Sequence, residues 1–357
     1  MHNSKASVFM VTSGNWRDGL LEITTFVKSQ AESLRCAGWD VFLGVVDDRI
    51  SIRGIMRNFR ALKKERTKVR PAVVHAQYGS VTAAIGNLIK GDLPLVVSFC
   101  GTDLLGTPQR GLRWRVREAG ARQIGFWAAR HAAAVIVKSN NLYEALPQSL
   151  RHKSNVLPNG VDINLFKPMA RDECRDKLGW NKRSKVVLFN GSKDENQLCK
   201  NPSLARATVD HLSKIMPEVI LHVLSNASHA EIPIIMNAAD CLLITSLHEG
   251  SPNIVKEAMA CNLPIVSVPC GDVAERLRMT RPGSICPYDA NILAEAIQNV
   301  LSSGRRSNGR VQLISQGLTT ARVAESLIQI YRQVQENNSP AWRTRLRRKT
   351  CVGSLPS

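Results

Sequence analysis

The residues best suited to chemistry are two glutamates, Glu249 and Glu257, which lie eight positions apart in the chain. An apolar stretch typical of a buried strand precedes them, and Ser251 and Pro252 favour the cap and the first position of a helix. The free N–H groups of such a first turn can bind an anion or a sugar hydroxyl. Two carboxylates around one turn could therefore hold hydroxyls of one ligand. The same spacing also fits a plainer arrangement, in which Glu249 caps the helix and Glu257 is a solvated surface residue.

The wider segment resembles the E-x7-E signature of the family 4 glycosyltransferases, which are retaining enzymes of the GT-B fold. The resemblance extends over the string EGSPNIVKEAMACNLPIV and is to the version found in bacterial surface-polysaccharide transferases. It implies that Glu249 contacts the transferred sugar and that Glu257 contacts the ribose of a nucleotide. The turn residues that it places near sugar hydroxyls and phosphate are Gly250, Ser251, Pro252 and Asn253.

Two further segments resemble the phosphate-binding parts of the same family. Gly191 and Ser192 follow a predicted strand, and Lys200 precedes a predicted helix. Family members commonly carry an Arg after that glycine and a Lys at the helix start, and both cations neutralise the nucleotide diphosphate. Lys200 matches this Lys, whereas Ser192 replaces the Arg, and the adjacent Lys193 is the residue that could supply the charge. The resemblance thus implies donor binding by these residues without a metal ion.

The first half of the chain contains a segment that resembles the family's strand-end motif ahead of the acceptor site. Many members carry His at the position of Cys100, which we interpret as a small buried residue. The backbone of Gly101 and the carboxylate of Asp103 remain as candidates at the reacting centre. Gly14 lies where the family has a Gly-rich turn that approaches the donor phosphates, and the whole resemblance covers about residues 7–337.

The elements that must position these residues alternate between short β-rich runs and helix-length segments, as parallel α/β sheets require. Residues 155–168 are rich in Pro, Gly and Asn and predict a boundary between two sheets. We therefore expect the GT-B architecture, in which two doubly wound Rossmann-like domains face each other across a cleft that holds the ligands. The predicted strands are Ser7–Thr12, Asp40–Val46, Pro71–His75, Leu93–Phe99 and Ala134–Lys138, then Lys185–Asn190, Val219–Ser225, Asp240–Ser246 and Pro264–Pro269.

Four parts of the chain are expected on this basis. Residues 1–160 are predicted to form the acceptor-side domain, and residues 161–320 the domain that binds the nucleotide sugar. Residues 321–338 have apolar side chains on one side and predict an amphipathic helix that packs back toward the N-terminal domain. Residues 339–357 are rich in Ser, Pro and Arg and are predicted to be a basic disordered tail.

Length and composition agree with two globular domains and exclude other classes. The chain has 357 residues, of which 44% are hydrophobic and 22% charged, and domains average roughly 150 residues. No apolar run reaches the roughly 18 residues of a membrane span, and the first residues do not resemble a secretory signal. The nine cysteines are scattered and never form a C-x-x-C pair, which argues against a zinc site or a disulfide scaffold and favours a reducing cytosol.

The formal net charge of +19 is concentrated in the first half and in the tail. Residues 1–168 carry 24 basic and 12 acidic side chains, whereas residues 169–338 carry 19 and 17. Basic residues with interleaved aromatic residues favour an anionic membrane surface, and no recognisable nucleic-acid-binding module accompanies them. The two clusters are Arg53, Arg57, Arg60 and Lys64, and Arg110, Arg113, Arg115, Arg117, Arg122 and Arg130 with Trp114, Phe126 and Trp127.

The sequence thus predicts a retaining, metal-independent glycosyltransferase without a cofactor. Its expected partners are a UDP- or GDP-linked sugar donor, a saccharide acceptor that is lipid-linked, and the inner face of the cytoplasmic membrane, but no nucleic acid. The expected process is polysaccharide or glycan biosynthesis. Two alternatives stay open: a non-catalytic sugar-nucleotide-binding protein, because Cys100 and Ser192 depart from the family pattern, and, from the charge, a nucleic-acid-binding protein.

Overall fold

The computed structural model describes residues 6–17, 20–106, 111–191, 198–225 and 227–338. They form two compact units. The N-terminal unit extends to Leu157 and takes up the chain again from Val323, whereas the C-terminal unit runs from Pro158 to Arg322. Each unit contains a parallel sheet with helices, as the alternating pattern of the sequence predicts.

The sheet of the N-terminal unit is built on β1, which pairs in parallel with β3 on one side and with β4 on the other. From β4 the parallel order continues through β5 and β6 to β7. The residues of β4 and β5 are fully buried, as expected for inner strands of a sheet that is covered on both faces. The strands are β1 Ser7–Arg17, β2 Leu20–Ile23, β3 Asp40–Val46, β4 Val73–Gln77, β5 Leu95–Phe99, β6 Ala134–Val137 and β7 Ser154–Val156.

The first strand differs from its prediction. The sequence predicts that it ends at Thr12 and that a Gly-rich turn follows at Gly14, but β1 continues to Arg17. Its last residues pair antiparallel with β2, where Gly14 lies opposite Ile23. A signal for this hairpin was present, because an Asp-Gly pair between two β-rich runs is typical of a two-residue hairpin turn.

The helices of the N-terminal unit begin and end at residues suited to those positions. At the start of α2, the Ser51 hydroxyl accepts a hydrogen bond of 3.0 Å from the backbone N–H of Gly54. Helix α1 ends just before Gly38, whose φ of 84° favours glycine. The helices are α1 Thr25–Cys36, α2 Ile52–Val69, α3 Val81–Ile89, α4 Thr102–Leu105, α5 Leu112–Arg130, α6 Asn140–Ala145 and α7 Gln148–Arg151.

The C-terminal unit has a five-stranded parallel sheet with the order β12-β11-β10-β8-β9. Its strands are β8 Lys185–Phe189, β9 Val219–Val223, β10 Cys241–Ile244, β11 Ile265–Ser267 and β12 Gly283–Ile285. Its helices are α8 Arg171–Leu178, α9 Pro202–Ser213, α10 Ile232–Ala238, α11 Asn253–Ala260, α12 Val273–Leu277, α13 Ala290–Ser303 and α14 Gly309–Ser315, with a 3-10 turn at Leu198–Lys200.

The last helix, α15 (Thr320–Asn338), connects the C-terminal unit to the core of the N-terminal unit. Its apolar side, which includes the fully buried Tyr331, packs with residues of β1 and with Trp39. The Tyr331 hydroxyl lies 2.6 Å from Nδ1 of His75 in β4. The chain therefore completes its first domain with its last described helix.

Candidate active site

Glu249 lies in the connection between β10 and α11, and two side chains hold it there. Its Oε1 accepts a hydrogen bond of 3.0 Å from the Ser246 hydroxyl and pairs with the ammonium group of Lys200. The side chains of Lys200 and Glu249 are only 18% and 16% exposed. A pair screened from water to this degree fixes the carboxylate more firmly than an exposed pair would. The structure thus brings together a predicted catalytic residue and a predicted phosphate ligand.

The 3-10 turn that contains Lys200 is fastened to the end of β10. The Thr245 hydroxyl donates to the backbone carbonyl of Lys200 at 2.8 Å, and the backbone N–H of Leu247 donates to the carbonyl of Cys199 at 2.8 Å. These contacts link residues that are more than 40 positions apart in the chain. Because the turn and the strand end are joined through the backbone, the ammonium group is positioned by the sheet.

The start of α11 differs from its prediction. The sequence predicts that Ser251 caps the helix and that Pro252 is its first residue, but the helix begins at Asn253 with Pro252 as its N-cap. The Ser251 hydroxyl instead accepts a hydrogen bond of 3.0 Å from the buried ammonium group of Lys256, so it does not cap the helix. Among the described residues no side chain caps this helix. Its first backbone N–H groups are therefore suited to receive a ligand.

The connection after β11 supports the Glu249 turn from the side. The backbone N–H of Asp272 donates to the carbonyl of Gly250 at 3.1 Å. Gly271 has a φ of 55°, and a Cβ atom there would lie 2.4 Å from the same carbonyl oxygen. Only glycine permits this approach, so the backbone of Gly250 is held by a neighbouring strand's loop.

Glu257 lies inside α11 and is half-buried, which excludes the solvated position that its spacing also allowed. Burial raises the pKa of its carboxyl to about 7, and the adjacent Lys256 charge opposes this rise. Near neutral pH the group therefore exists in both protonation states. A carboxyl in this state can accept or donate a hydrogen bond to a ligand hydroxyl.

Gly191 follows β8 at the same edge of the sheet. A Cβ atom on Gly191 would lie 2.2 Å from Cγ1 of Val223 in β9, so a larger residue at this position would have to displace that side chain. The predicted phosphate-binding residues Ser192 and Lys193 lie outside the described residues. Of the predicted phosphate cations, the described part of the chain therefore shows Lys200.

In the N-terminal unit, the predicted catalytic residue Asp103 is turned toward the backbone. Its carboxylate accepts hydrogen bonds from the N–H groups of Gly79 (2.7 Å), Cys100 (2.9 Å) and Gly101 (2.8 Å). Burial raises the pKa of Asp103, and these hydrogen bonds oppose the rise. Gly101 has a φ of 148°, which glycine adopts readily. Asp103 thus determines the shape of the turn that presents Gly101.

Lys138, which belongs to none of the sequence motifs, lies beside this turn. Continuing the β5–β6 register by one residue from Phe99 and Val137 pairs Lys138 with Cys100. The Lys138 side chain is 2% exposed, and its ammonium group has no hydrogen-bond partner among the described residues. Burial lowers the pKa of Lys138 and raises that of the Cys100 thiol to about 12, which agrees with an inert cysteine. A lysine at the end of a strand is equally compatible with solvent, so no local pattern of the sequence indicates this burial.

In the described residues, the ammonium group of Lys200 is the lysine cation at this site that could bind an anionic ligand. Within residues 6–338, apart from the undescribed gaps, no group of three or more His, Cys, Asp or Glu side chains could hold a metal ion. The Glu249 turn, Lys200 and the start of α11 together offer a carboxylate, an ammonium group and free N–H groups at one sheet edge. This set is suited to a ligand that has both hydroxyl groups and phosphates.

Comparison with known proteins gives a match for each half of the chain. A family model described as "Glycosyltransferase Family 4" matches residues 30–165, and one described as "Glycosyl transferases group 1" matches residues 187–303. The putative teichuronic acid biosynthesis glycosyltransferase TuaC of Bacillus subtilis is 22% identical over 242 residues, which are 64% of this chain and 60% of that protein. A D-inositol 3-phosphate glycosyltransferase of Segniliparus rotundus is 26% identical over 187 residues, 43% of this chain and 40% of that protein. The matches thus span well under two thirds of these relatives.

Solved structures show the same fold over nearly the whole chain. Sucrose-phosphate synthase from Thermosynechococcus elongatus superposes with a TM-score of 0.72 at 17% identity, covering 92% of this chain and 98% of that one. Anabaena HepE, solved in complex with UDP-glucose, superposes with a TM-score of 0.64 at 16% identity, covering 93% and 98%.

Proposed function

Because the chain belongs to the family 4 glycosyltransferases, which have the GT-B fold, we propose that it transfers a glycosyl group from a nucleotide sugar to a saccharide acceptor. The observation that carries this proposal is the Glu249–Lys200 pair at the uncapped start of α11. A carboxylate that can hold sugar hydroxyls and a cation that can receive a diphosphate stand next to each other there. Transfer needs both functions within the length of one nucleotide sugar.

The proposed reaction proceeds with retention of configuration and without a metal ion. When the bond from the sugar to the diphosphate breaks, positive charge develops at the anomeric carbon and negative charge on the departing phosphate. The acceptor hydroxyl oxygen bonds to the anomeric carbon on the face that the phosphate leaves, and the hydroxyl proton passes to the departing phosphate. Lys200 and the first N–H groups of α11 stabilise the phosphate, and Lys193 is proposed to assist. Glu249 orients the sugar through its hydroxyls and is not itself bonded to it.

The donor is proposed to be a UDP- or GDP-linked sugar. Glu257 is proposed to bind the ribose hydroxyls, and its carboxyl lies about one turn inside α11, which directly follows the Glu249 turn. The solved complex of HepE with UDP-glucose supports a uridine nucleotide for a protein of this fold. The proposed acceptor is a lipid-linked saccharide. The proposed process is polysaccharide or glycan biosynthesis, which the name of the TuaC relative supports because it refers to teichuronic acid biosynthesis.

The proposed place of action is the inner surface of the cytoplasmic membrane. In the described residues no helix is both long and apolar enough to span a bilayer. The first two turns of α5 are exposed on all sides, although Leu112, Trp114 and Val116 alternate there with arginines. Apolar side chains among cations suit the interface of an anionic membrane, where a lipid-linked acceptor would be presented.

The Glu249→Gln variant tests the catalytic proposal. The amide retains shape but loses the charge that pairs with Lys200. After thermal shifts with UDP- and GDP-sugars identify the donor, we expect donor hydrolysis to fall about 100-fold or more. Binding of the nucleoside diphosphate should be retained or become tighter, because Glu249 is assigned to the sugar and its loss frees the Lys200 ammonium group for the phosphate.

Glu275→Gln is the matched control, because Glu275 is an exposed glutamate of the same unit that pairs with Arg276 at 2.8 Å. It should leave both measurements unchanged. A wild-type protein that binds the nucleotide sugar, yet neither hydrolyses it nor transfers it to any glycoside of an acceptor panel, would instead support the non-catalytic alternative.

A further inference from the structure

Tyr288 lies three residues beyond the end of β12, at the carboxyl edge of the C-terminal sheet where Glu249 also lies. Its side chain is 43% exposed, yet its hydroxyl is fixed. The hydroxyl donates to the backbone carbonyl of Ser246 at 3.0 Å and lies 3.4 Å from that of Pro269. The ring is therefore held over the ends of β10 and β11 although much of it faces solvent.

The two residues that hold Tyr288 also begin the loops of the candidate site. Ser246 bonds Tyr288 through its backbone and Glu249 through its hydroxyl, at 3.0 Å in each case. Pro269 leads into the loop whose Gly271 and Asp272 support Gly250. Through Ser246, Tyr288 is thus one residue removed from Glu249, and through Pro269 it contacts the start of the loop that supports Gly250.

An exposed aromatic ring of fixed orientation beside polar groups matches the chemistry of a pyranose. A sugar ring presents its hydroxyls outward and C–H bonds on its faces, so it packs a face on an aromatic ring while carboxylates accept its hydroxyl hydrogens. A ring that is already immobilised loses little conformational entropy on binding. Sugar binding would also remove the exposed face of the Tyr288 ring from water, which lowers the free energy of the complex.

We propose that Tyr288 is the platform on which the transferred sugar of the donor packs, and that it thereby contributes to sugar specificity. This inference rests on the proposed function. The donor sugar is chosen because Ser246 joins Tyr288 to Glu249, which is the residue assigned to the transferred sugar. Among the exposed large hydrophobic residues in the described part of this unit, Tyr288 is the aromatic one, and its hydroxyl anchors it to the strand ends near Glu249.

A purely structural role is the alternative, in which the hydroxyl ties β10 to β11. Two substitutions separate the roles. Tyr288→Phe removes both hydrogen bonds and keeps the aromatic ring, whereas Tyr288→Leu keeps an apolar side chain and removes the ring. Ile292→Ala is the control, because Ile292 is also 43% exposed and lies in α13.

The experiment measures dissociation constants by calorimetry for UDP and UDP-glucose, and for GDP and GDP-mannose. For the pair that the wild type binds, Tyr288→Leu should raise the dissociation constant of the nucleotide sugar about fivefold. It should change the dissociation constant of the free diphosphate by no more than about twofold. Tyr288→Phe and Ile292→Ala should change neither constant by more than about twofold. Thermal unfolding midpoints of all variants confirm that each is folded.

Three results would overturn the inference. The first is an unchanged ratio of the two constants in Tyr288→Leu, which includes the case of a ring that serves only the acceptor. The second is an equal loss in Tyr288→Phe, which would identify the hydroxyl as a structural tie. The third is a wild-type protein that binds the nucleotide sugar no more tightly than the free diphosphate. Failure of the wild type to bind any of the four ligands would instead count against the proposed function.

Discussion

Glu257 shows how burial on a single helix can change the chemistry of one side chain. Its carboxyl has a pKa raised to about 7, because desolvation disfavours the charged form more than the neighbouring Lys256 stabilises it. Glu249 is also shielded from water, yet it has the Lys200 ammonium group as a partner. The two glutamates of one motif thus lie in different electrostatic surroundings, which agrees with different roles for them.

The first prediction concerns the pH dependence of donor binding. A carboxylate that accepts hydrogen bonds from two ribose hydroxyls must be ionised, so binding should lower the pKa of Glu257 from about 7. Affinity should then be full above pH 7 and decrease as pH falls, approaching about tenfold per pH unit below the pKa. A nucleotide sugar is the suitable ligand, since its diphosphate diester does not titrate between pH 5 and 8. Calorimetry over this range measures the effect.

Glu257→Gln serves as the matched variant. Its amide cannot ionise, so its affinity should be lower at pH 8 and should not vary down to pH 6. If wild type and variant lose affinity in parallel as pH falls, another group is responsible and the ribose role of Glu257 is wrong.

Helix α5 is exposed to solvent at its start and buried near its end. Its first two turns are exposed, whereas Gly125, Phe126, Ala128 and Ala129 are buried against the N-terminal unit. At Gly125 a Cβ atom would lie 1.5 Å from the carbonyl oxygen of Gly79. The N–H group of Gly79 donates to Asp103 at 2.7 Å. The helix is therefore in direct backbone contact with the turn that Asp103 organises.

Alanine substitutions at two glycines of α5 should have opposite effects. Gly125→Ala must displace the helix or the Gly79 backbone, and we expect a loss of about 2 kcal/mol or more in the free energy of unfolding. Gly120→Ala adds a methyl group where nothing lies within 4 Å, and we expect a gain of about 0.5–1 kcal/mol from helix propensity. Urea unfolding measures both. Equal effects of the two substitutions would show that the close approach at Gly125 is not a constraint.

Local patterns predict nine of the twelve strands in the described residues. The predicted strand Asp40–Val46 is β3 without change, whereas Pro71–His75 is displaced by two residues from β4 (Val73–Gln77). Three short strands at sheet edges, β2, β7 and β12, were not predicted. Strand β2 has four residues, and β7 and β12 have three each, so all three are too short to show a hydrophobic period.

Contacts between distant segments were the part that the sequence could not supply. The motif predicted that Glu249 and Lys200 belong to one site, and the structure pairs them. The bond from Lys256 to Ser251 and the anchoring of Tyr288 on Ser246 depend on tertiary packing, and no local propensity encodes them. The burial of Lys138 is of the same kind, because a lysine at a strand end is equally compatible with solvent.

At the scale of the whole molecule, the charge is divided between the units. The first 168 residues carry most of the net charge of +19, and α2 and α5 contribute many of these cations. Large apolar side chains are exposed beside them, including Ile50 and Ile52 at the start of α2 and Leu112 in α5. The Arg117 guanidinium lies over the Trp114 ring, 5.1 Å from its centre. Both chemical components of an interfacial surface are thus present on one unit.

Vesicle sedimentation tests this surface directly. We expect the full chain to sediment with vesicles that contain anionic phosphatidylglycerol and to remain in solution with neutral phosphatidylcholine at 0.15 M salt. The triple variant Arg113→Gln, Arg115→Gln, Arg117→Gln should bind anionic vesicles at least tenfold more weakly, since each cation near such a surface contributes about 1 kcal/mol. A control with the same charge change, Lys214→Gln, Arg278→Gln, Arg305→Gln, alters exposed residues of the C-terminal unit and should bind like the wild type. Equal sedimentation with both lipids, or equal losses in the two triple variants, would show that α5 is not a membrane-binding element and would favour diffuse charge as the origin of any binding.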